Sequence, residues 1–364
     1  MTVRCRVDLG RLAPYRPGPP APPHAGPAFK LSSNENPYPP LPSVQEAIAA
    51  ALGKVNRYPD MAASELTAAL AGCSGVTPDE IVLGAGSVEV ASAVIRAVAG
   101  AGDEVVYAWR SFEAYPQLVI GAGAVPVEIP LTAGLAHDLD AMASAVGPRT
   151  RCVIVCNPNN PTGTVVTETA LERLLDQLPP DLAVVLDEAY CQFDVDPASP
   201  RGLALFGHHP NLVLLRTFSK AYGLAGLRVG YAVAPAVLAA EIRKVALPFG
   251  VTDLAQTAAL ASLAAEGELT DRVAVLTERR SRVEAALARQ GWRLPASQGN
   301  FVWLPTGQAT AAAQSALAQR GLVGRVFDGE GIRLTVGEED SLPPLLDAAG
   351  AIWEFIENGP ARPA

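Results

Sequence analysis

Cysteine and histidine are scarce and scattered. The five cysteines, Cys5, Cys73, Cys152, Cys156 and Cys191, are odd in number and form no Cys-x-x-Cys pair. A disulfide framework and a zinc site are therefore not expected. The four histidines, His24, His137, His208 and His209, have no ligand spacing, so no metal is expected either. Cys152 and Cys156 lie in the apolar run Arg-Cys-Val-Ile-Val-Cys, where a thiol acts as a small hydrophobe. Basic charge is in deficit: 28 Lys and Arg stand against 37 Asp and Glu, a net charge of −9. A chain of this sign is a poor match for nucleic acid or for an anionic membrane surface, and neither is expected as a partner. Long hydrophobic runs are missing as well. Mean hydropathy is +0.20, yet no stretch of about 18 apolar residues occurs. Met1–Gly18 carries Arg4, Arg6, Asp8, Arg11 and Arg16 and no apolar segment, so no secretory signal is expected and a cytoplasmic location is.

What is present is enough apolar mass for a large core. Hydrophobic residues make up 49% and charged residues 18% of 364, which excludes a disordered chain and makes two domains the default. Glycine and proline stand at 32 each with no fixed period, which excludes collagen. No internal repeat and no low-complexity tail is visible.

The first 45 residues are irregular, since Pro14, Pro17, Pro19, Pro20, Pro22, Pro23 and Pro27 forbid a regular element. They read either as a disordered tail or as an arm anchored by Tyr15 and Phe29. Helices are expected from Ser43, as its cap, to about Leu52, and over Ser64–Ala71. Short apolar runs then read as buried parallel strands: Ile81–Leu83, Glu104–Tyr107, Val125–Ile129, Cys152–Cys156, Ala183–Leu186, Leu212–Leu215 and Val229–Val233. Helices such as Val88–Ala99 and Glu168–Leu178 alternate with them. This alternation predicts an α/β domain on a mostly parallel sheet. From Asp253 long helices run to about Arg289. Strands at Asn300–Leu304 and Gly331–Val336 then flank a helix at Ala309–Arg320, and Leu342–Glu357 reads as a last helix. Together these form a smaller α+β unit.

Ligands in open α/β sheets collect at the carboxyl ends of the strands. Four segments there carry chemistry. Gly84-Ala85-Gly86-Ser87 feeds a helix start, where free amides and the helix dipole suit a phosphate. It is not Gly-x-Gly-x-x-Gly, which weakens a dinucleotide reading, and a plain turn would use the same glycines. Asn157-Pro158-Asn159-Asn160-Pro161-Thr162-Gly163 is a tight turn, or a way to aim the Asn160 amide into a site. Asp187-Glu188-Ala189-Tyr190 puts an acid at the end of a hydrophobic strand, where it needs a cation or donors; a structural salt bridge would serve equally. Thr217-Phe218-Ser219-Lys220, with Arg228 beyond, offers an amine and phosphate ligands amid glycines.

In this order the segments resemble the fold type I pyridoxal-phosphate aminotransferases, and the resemblance covers nearly the whole chain. Ser33-Asn34-Glu35-Asn36-Pro37, Asn56-Arg57-Tyr58-Pro59 and Gly331-Ile332-Arg333-Leu334-Thr335-Val336-Gly337 resemble the histidinol-phosphate and aromatic aminotransferase branch. The resemblance implies pyridoxal 5'-phosphate as cofactor, with a seven-stranded, mostly parallel sheet in the large domain over 53–252. It implies a small domain from 31–52 and 253–364, and an N-terminal arm over 1–30. It makes Lys220 the amine that joins the cofactor aldehyde and later carries the proton. Asp187 would hold the ring nitrogen protonated, Asn160 and Tyr190 would face the ring hydroxyl, and Phe112 would stack where relatives have Tyr. Ala85, Gly86, Ser87, Thr217, Ser219 and Arg228 would hold the phosphate. Tyr58 would reach a partner subunit's phosphate, which implies a homodimer with shared active sites. Arg333 would grip the substrate's α-carboxylate, with Tyr15, Asn36, Asn300 and Arg325 around the rest. Arg325 is also the candidate for the second carboxylate of 2-oxoglutarate.

Trp109–Pro116 and the short Arg325-to-Arg333 segment look more like aromatic aminotransferases of actinobacterial type, acting on Phe, Tyr or Trp with 2-oxoglutarate. Histidinol-phosphate aminotransferase is the alternative. A threonine-phosphate decarboxylase shares the Lys220 motif. A cofactor-binding regulator is disfavoured because no helix-turn-helix precedes the Pro-rich start.

Overall fold

The computed structural model describes residues 6, 9–10, 12–21 and 24–358. Arg4, Cys5, Asp8, Arg11, Pro22 and Pro23, each part of the N-terminal reading, lie outside them.

The larger sheet contains β2 (Ile81–Gly84), β3 (Glu104–Trp109), β4 (Val125–Pro130), β5 (Thr150–Cys156), β6 (Ala183–Asp187), β7 (Leu212–Thr217) and β8 (Gly230–Val233). Their order is β2-β8-β7-β6-β5-β3-β4. Only β8 runs antiparallel to its neighbours β2 and β7; the other pairs are parallel. The apolar runs are near-continuous because helices cover both faces, so alternate residues enter two different cores. Val106, Val153, Val155, Val184, Leu186 and Leu214 face one core. Val105, Tyr107, Ile154, Val185 and Val213 face the other, as do Cys152 and Cys156. Burial pushes both thiols up to about 12, which leaves them inert packing groups.

The helices between strands are α3 (Ser87–Val98), α4 (Tyr115–Ala122), α5 (Leu139–Ser144), α6 (Glu168–Gln177), α7 (Gly202–Phe206) and α8 (Ala236–Val245). The sequence reading had picked out only α3 and α6. Before the sheet come α1 (Pro42–Ala51) and α2 (Ser64–Ser74); after it come α9 (Asp253–Ala264) and α10 (Glu266–Arg289). Ser43 does not cap α1 as expected. The helix begins one residue earlier with Leu41 as cap and no side-chain bond. Pro42 suits the first turn, since its fixed φ is helical and its missing N–H would have had no partner there. Thr167 and Thr252 do cap α6 and α9, each accepting a bond from the amide three residues on.

The smaller unit has a three-stranded antiparallel sheet, β9 (Phe301–Leu304), β11 (Arg325–Phe327) and β12 (Gly331–Thr335), in the order β11-β12-β9. It packs with α11 (Thr310–Ala318), α12 (Leu342–Asn358) and the end of α10 around a third core. The first residues are not wholly irregular: β1 (Phe29–Lys30) pairs in parallel with β10 (Leu322–Val323), in a stretch with no proline between Pro27 and Pro37. Core packing does not follow the expected 31–52 and 253–364 grouping. Val44 of α1 and Ala255, Ala258 and Ala259 of α9 join the core of the larger sheet. Helix α10 serves both units, with Leu269, Val273 and Leu276 in the large core and Val283 and Leu287 in the small one.

The described part of the arm packs on its own chain. Gln117 donates to the Ala13 carbonyl at 2.9 Å, and Ser32 to the Pro19 carbonyl at 3.1 Å. Among the described residues no helix is long and apolar enough to cross a membrane.

Candidate active site

Register sets the site. Cys156 lies beside Asp187, and Asp187 beside Leu215, so the carboxyl ends of β5, β6 and β7 stand in line. The loops leaving them deliver Asn160, Tyr190, Thr217, Ser219 and Lys220 to one cavity of about 200 Å³. Tyr15, Ser87, Phe112, Arg228, Arg325 and Arg333 line the same cavity, so most of the expected residues are together.

Lys220 is half-buried, and its Nζ donates to the Ser33 carbonyl at 3.2 Å. Burial, with the positive Arg333 nearby, pulls its pKa down to about 7. A lysine so placed is partly neutral at physiological pH and therefore nucleophilic. Asp187 is buried. Its Oδ2 accepts from Tyr115 Oη at 2.7 Å and its Oδ1 from the Ala189 amide at 3.2 Å. Burial still raises its pKa to about 6, because those two donors offset only part of the lost hydration. Tyr190 Oη accepts from Asn34 Nδ2 at 3.0 Å, and burial holds its proton on more tightly than in water.

At the other end of the cavity, Gly86 precedes α3 with φ 84°, a left-handed value that glycine adopts freely. Gly86 also lies against the Arg228 guanidinium, where a methyl would collide. Arg228 donates to the carbonyls of Ala225 at 3.0 Å and Ala85 at 3.4 Å, and to Ser219 Oγ at 3.4 Å. The Ser219 amide donates to Thr217 Oγ1 at 3.1 Å. A helix start, two hydroxyls and a guanidinium thus converge where an anion would be stabilised. Gly230 keeps β8 close to this turn; a Cβ there would run into the Ser87 amide.

Arg333 projects from β12. One nitrogen donates to the Ser32 carbonyl at 2.8 Å and another to Asn160 Oδ1, while its Nε is buried without a partner. Arg325 is different: Glu113 takes both of its bonds, Nε to Oε2 and Nη2 to Oε1, each at 2.8 Å. Arg325 lines the cavity as expected, but Glu113 takes two of its five N–H donors and offsets its charge. Asn36 and Asn300 do not line the cavity. Asn36 donates to the Ala221 carbonyl at 2.9 Å, and Asn300 to the Asn34 carbonyl at 3.2 Å, so both brace the main chain beneath the site. Tyr58 is 83% exposed and lies 4.7 Å from the Phe249 ring. The sequence reading missed Tyr115, Glu113 and Asn34. Phe112 and Tyr115 are three residues apart, with their rings edge to face at 5.5 Å. That spacing was the available signal for a second buried ring beside the first.

Residues 27–348 match the family model Aminotransferase class I and II. The chain belongs to this aminotransferase family. It is 55% identical to an aromatic amino acid aminotransferase of Streptomyces avermitilis, over 93% of this chain and 94% of that one. It is 54% identical to one of Streptomyces coelicolor, over 93% and 94%. Among solved structures, a histidinol-phosphate aminotransferase from Sinorhizobium meliloti in complex with pyridoxal-5'-phosphate matches with TM-score 0.83 and 28% identity, covering 98% of this chain and 99% of that one. The aminotransferase shares the fold type I architecture, and pyridoxal 5'-phosphate is the cofactor of its family. The cavity fits that group: a buried carboxylate without a cation in contact, a lysine of lowered pKa and an anion cradle face one space.

The two shifted groups make stability depend on pH in the cofactor-free aminotransferase. Between about 7 and 10.5 the unfolded chain holds the Lys220 proton and the folded chain does not, so stability rises with pH across that window. Between 3.8 and about 6 the folded chain holds the Asp187 proton more tightly, so stability falls as pH rises there. Melting temperatures of cofactor-free wild type and Lys220→Met should diverge from pH 7 to 10, with only wild type gaining the Lys220 increment. Parallel curves would show that Lys220 keeps an ordinary pKa.

Proposed function

We propose that the chain transfers the amino group of an aromatic amino acid, phenylalanine above all, to 2-oxoglutarate. The observation that carries this is Arg333, a buried guanidinium with no carboxylate in ion-pair reach among the described residues. It shares a cavity with Lys220, Asp187 and the rings of Phe112 and Tyr15. The name carried by the Streptomyces relatives supports the same reading. Histidinol phosphate is the second reading, favoured by the structural likeness to the Sinorhizobium enzyme.

Pyridoxal 5'-phosphate supplies, when bound, an aldehyde that condenses with amines and a protonated ring that draws electrons from the substrate's α-carbon. Lys220 Nζ would be the amine that holds the group, and the same nitrogen would carry the proton at the substrate's α-carbon. Asp187 favours the protonated ring by its charge, and Tyr115 orients the carboxylate. Tyr190 and Asn160 would serve the ring hydroxyl, and Phe112 would offer the ring a flat apolar face, less polar than a tyrosine's. Ser87, Thr217, Ser219 and Arg228, with the amides of the Ala85–Gly86 turn, would hold the phosphate. Arg333 pairs with the α-carboxylate and so fixes the α-carbon beside Lys220.

In this reading the enzyme is a cytoplasmic homodimer. The exposed Tyr58 side chain supports it: a large ring left in solvent on one subunit is available to a neighbour's cofactor phosphate. Light scattering should give a mass near twice 37.8 kDa. An active monomer would remove Tyr58 from the site.

Lys220→Ala should abolish turnover, and borohydride should fix cofactor mass onto wild type but not onto the variant. Residual turnover near wild type would exclude Lys220 as the anchor. With 2-oxoglutarate as acceptor, kcat/KM should be higher for phenylalanine than for histidinol phosphate. A preference for histidinol phosphate of tenfold or more, about 1.4 kcal/mol, would replace this function with the second reading.

A further inference from the structure

Arg325 and Arg333 are cross-strand partners on β11 and β12, and both line the cavity. Like charges placed so repel, and each guanidinium needs compensation if it is to stay there. They are compensated differently. Among the described residues Arg333 has only neutral oxygens, the Ser32 carbonyl and the Asn160 amide, and its Nε has no partner there. Arg325 meets the Glu113 carboxylate fork to fork, through two bonds of 2.8 Å. This pair is no loose surface contact: side-chain exposure is 11% for Arg325 and 26% for Glu113. The Tyr15 ring lies over Arg325, 5.8 Å from its Cζ.

We infer that Glu113 is a specificity-determining residue, which occupies the Arg325 fork and so selects ligands with one anionic group over ligands with two. The inference rests on the proposed role of Arg333 as partner of the α-carboxylate. With Arg325 neutralised, the substrate end of the cavity has a single uncompensated guanidinium. A ligand with one carboxylate and an apolar ring satisfies it and buries the ring against Tyr15 and Phe112. A second carboxylate or a phosphate meets an Arg325 whose charge Glu113 already offsets, and the Nε–Nη2 edge opens to it only if Glu113 leaves its cation for a less favourable place. The 2-oxoglutarate half-reaction proceeds against that cost. Glutamine at this position keeps the shape of Glu113 and removes its charge.

The test measures equilibrium binding of two unreactive acids to the holoenzyme by calorimetry. One is 3-phenylpropionate, with a ring and one carboxylate; the other is glutarate, with two carboxylates. Wild type should bind 3-phenylpropionate more tightly. Glu113→Gln should tighten glutarate about tenfold while 3-phenylpropionate stays within about threefold. The double variant Glu113→Gln with Arg325→Gln, which removes both members of the pair, should lose the glutarate gain. Unchanged glutarate affinity in Glu113→Gln, an equal shift for both acids, or a gain that persists in the double variant would each overturn the role of Glu113. Phenylalanine turnover is read separately. A wild type that ignores phenylalanine overturns the proposed function, whereas the binding result by itself overturns only the selection by Glu113.

Discussion

A carboxylate sits at the end of a buried strand, and no cation touches it among the described residues. Water would have stabilised the charge of Asp187; the sheet excludes water and returns two hydrogen bonds, from Tyr115 and the Ala189 amide. The pKa near 6 measures that shortfall. A buried charge left in this state is costly unless something positive arrives. The ring nitrogen of the cofactor is such a group, and it would draw the carboxylate back towards its ionised form. Lys220 is the mirror case, an amine held near pKa 7 because hydration is lost and Arg333 and Arg228 are close. One exclusion of water therefore prepares both a carboxylate in need of a cation and an amine ready to act as a nucleophile.

The parts legible in the sequence are those in which local chemistry is unusual for its place. Asp187, Asn160 and the Ser219-Lys220 pair each follow an apolar run that reads as a strand, and polar groups there need a reason. The seven strands were legible because both faces of the sheet are covered, which makes the runs continuous. Helices α4, α5, α7 and α8 were less legible: three are short, and their apolar residues blend into neighbouring runs. Pro42 hid the true start of α1, since a serine beside it looked like the better cap.

The site residues that were missed act through other side chains rather than on a ligand. Tyr115 serves Asp187, Asn34 serves Tyr190 and Glu113 serves Arg325, across sequence separations of 72, 156 and 212 residues. No pattern in one sequence reports pairings over such distances. For the same reason Arg325 was readable as a cation at the site but not as a cation already matched. Asn36, in the Ser33–Pro37 motif, and Asn300, just before β9, were both expected at the site, yet their amides satisfy backbone oxygens instead of facing the cavity.

Those backbone oxygens point to what joins the two units. The segment from Leu31 to Asn36 crosses between them and contributes mainly main-chain groups. The Ser32 carbonyl accepts from Arg333 of the smaller unit, and the next carbonyl, Ser33, accepts from Lys220 of the larger. Asn34 continues the alternation: its carbonyl takes the Asn300 amide while its side chain donates to Tyr190. Thr335 of β12 bonds the Leu31 carbonyl as well. Adjacent residues of one connecting segment, bent at Ser32 and Ser33 and left-handed at Asn34, thus fix Arg333 relative to Lys220. Main-chain groups set that distance more firmly than a pair of long side chains would, because each residue has only two soft torsions and its carbonyls are already bonded. The pocket side chains that the two units add around this segment are therefore positioned independently of it: Phe112 and Glu113 come from the loop after β3, and Arg325 from β11, whereas the main chain holds Arg333 and Lys220.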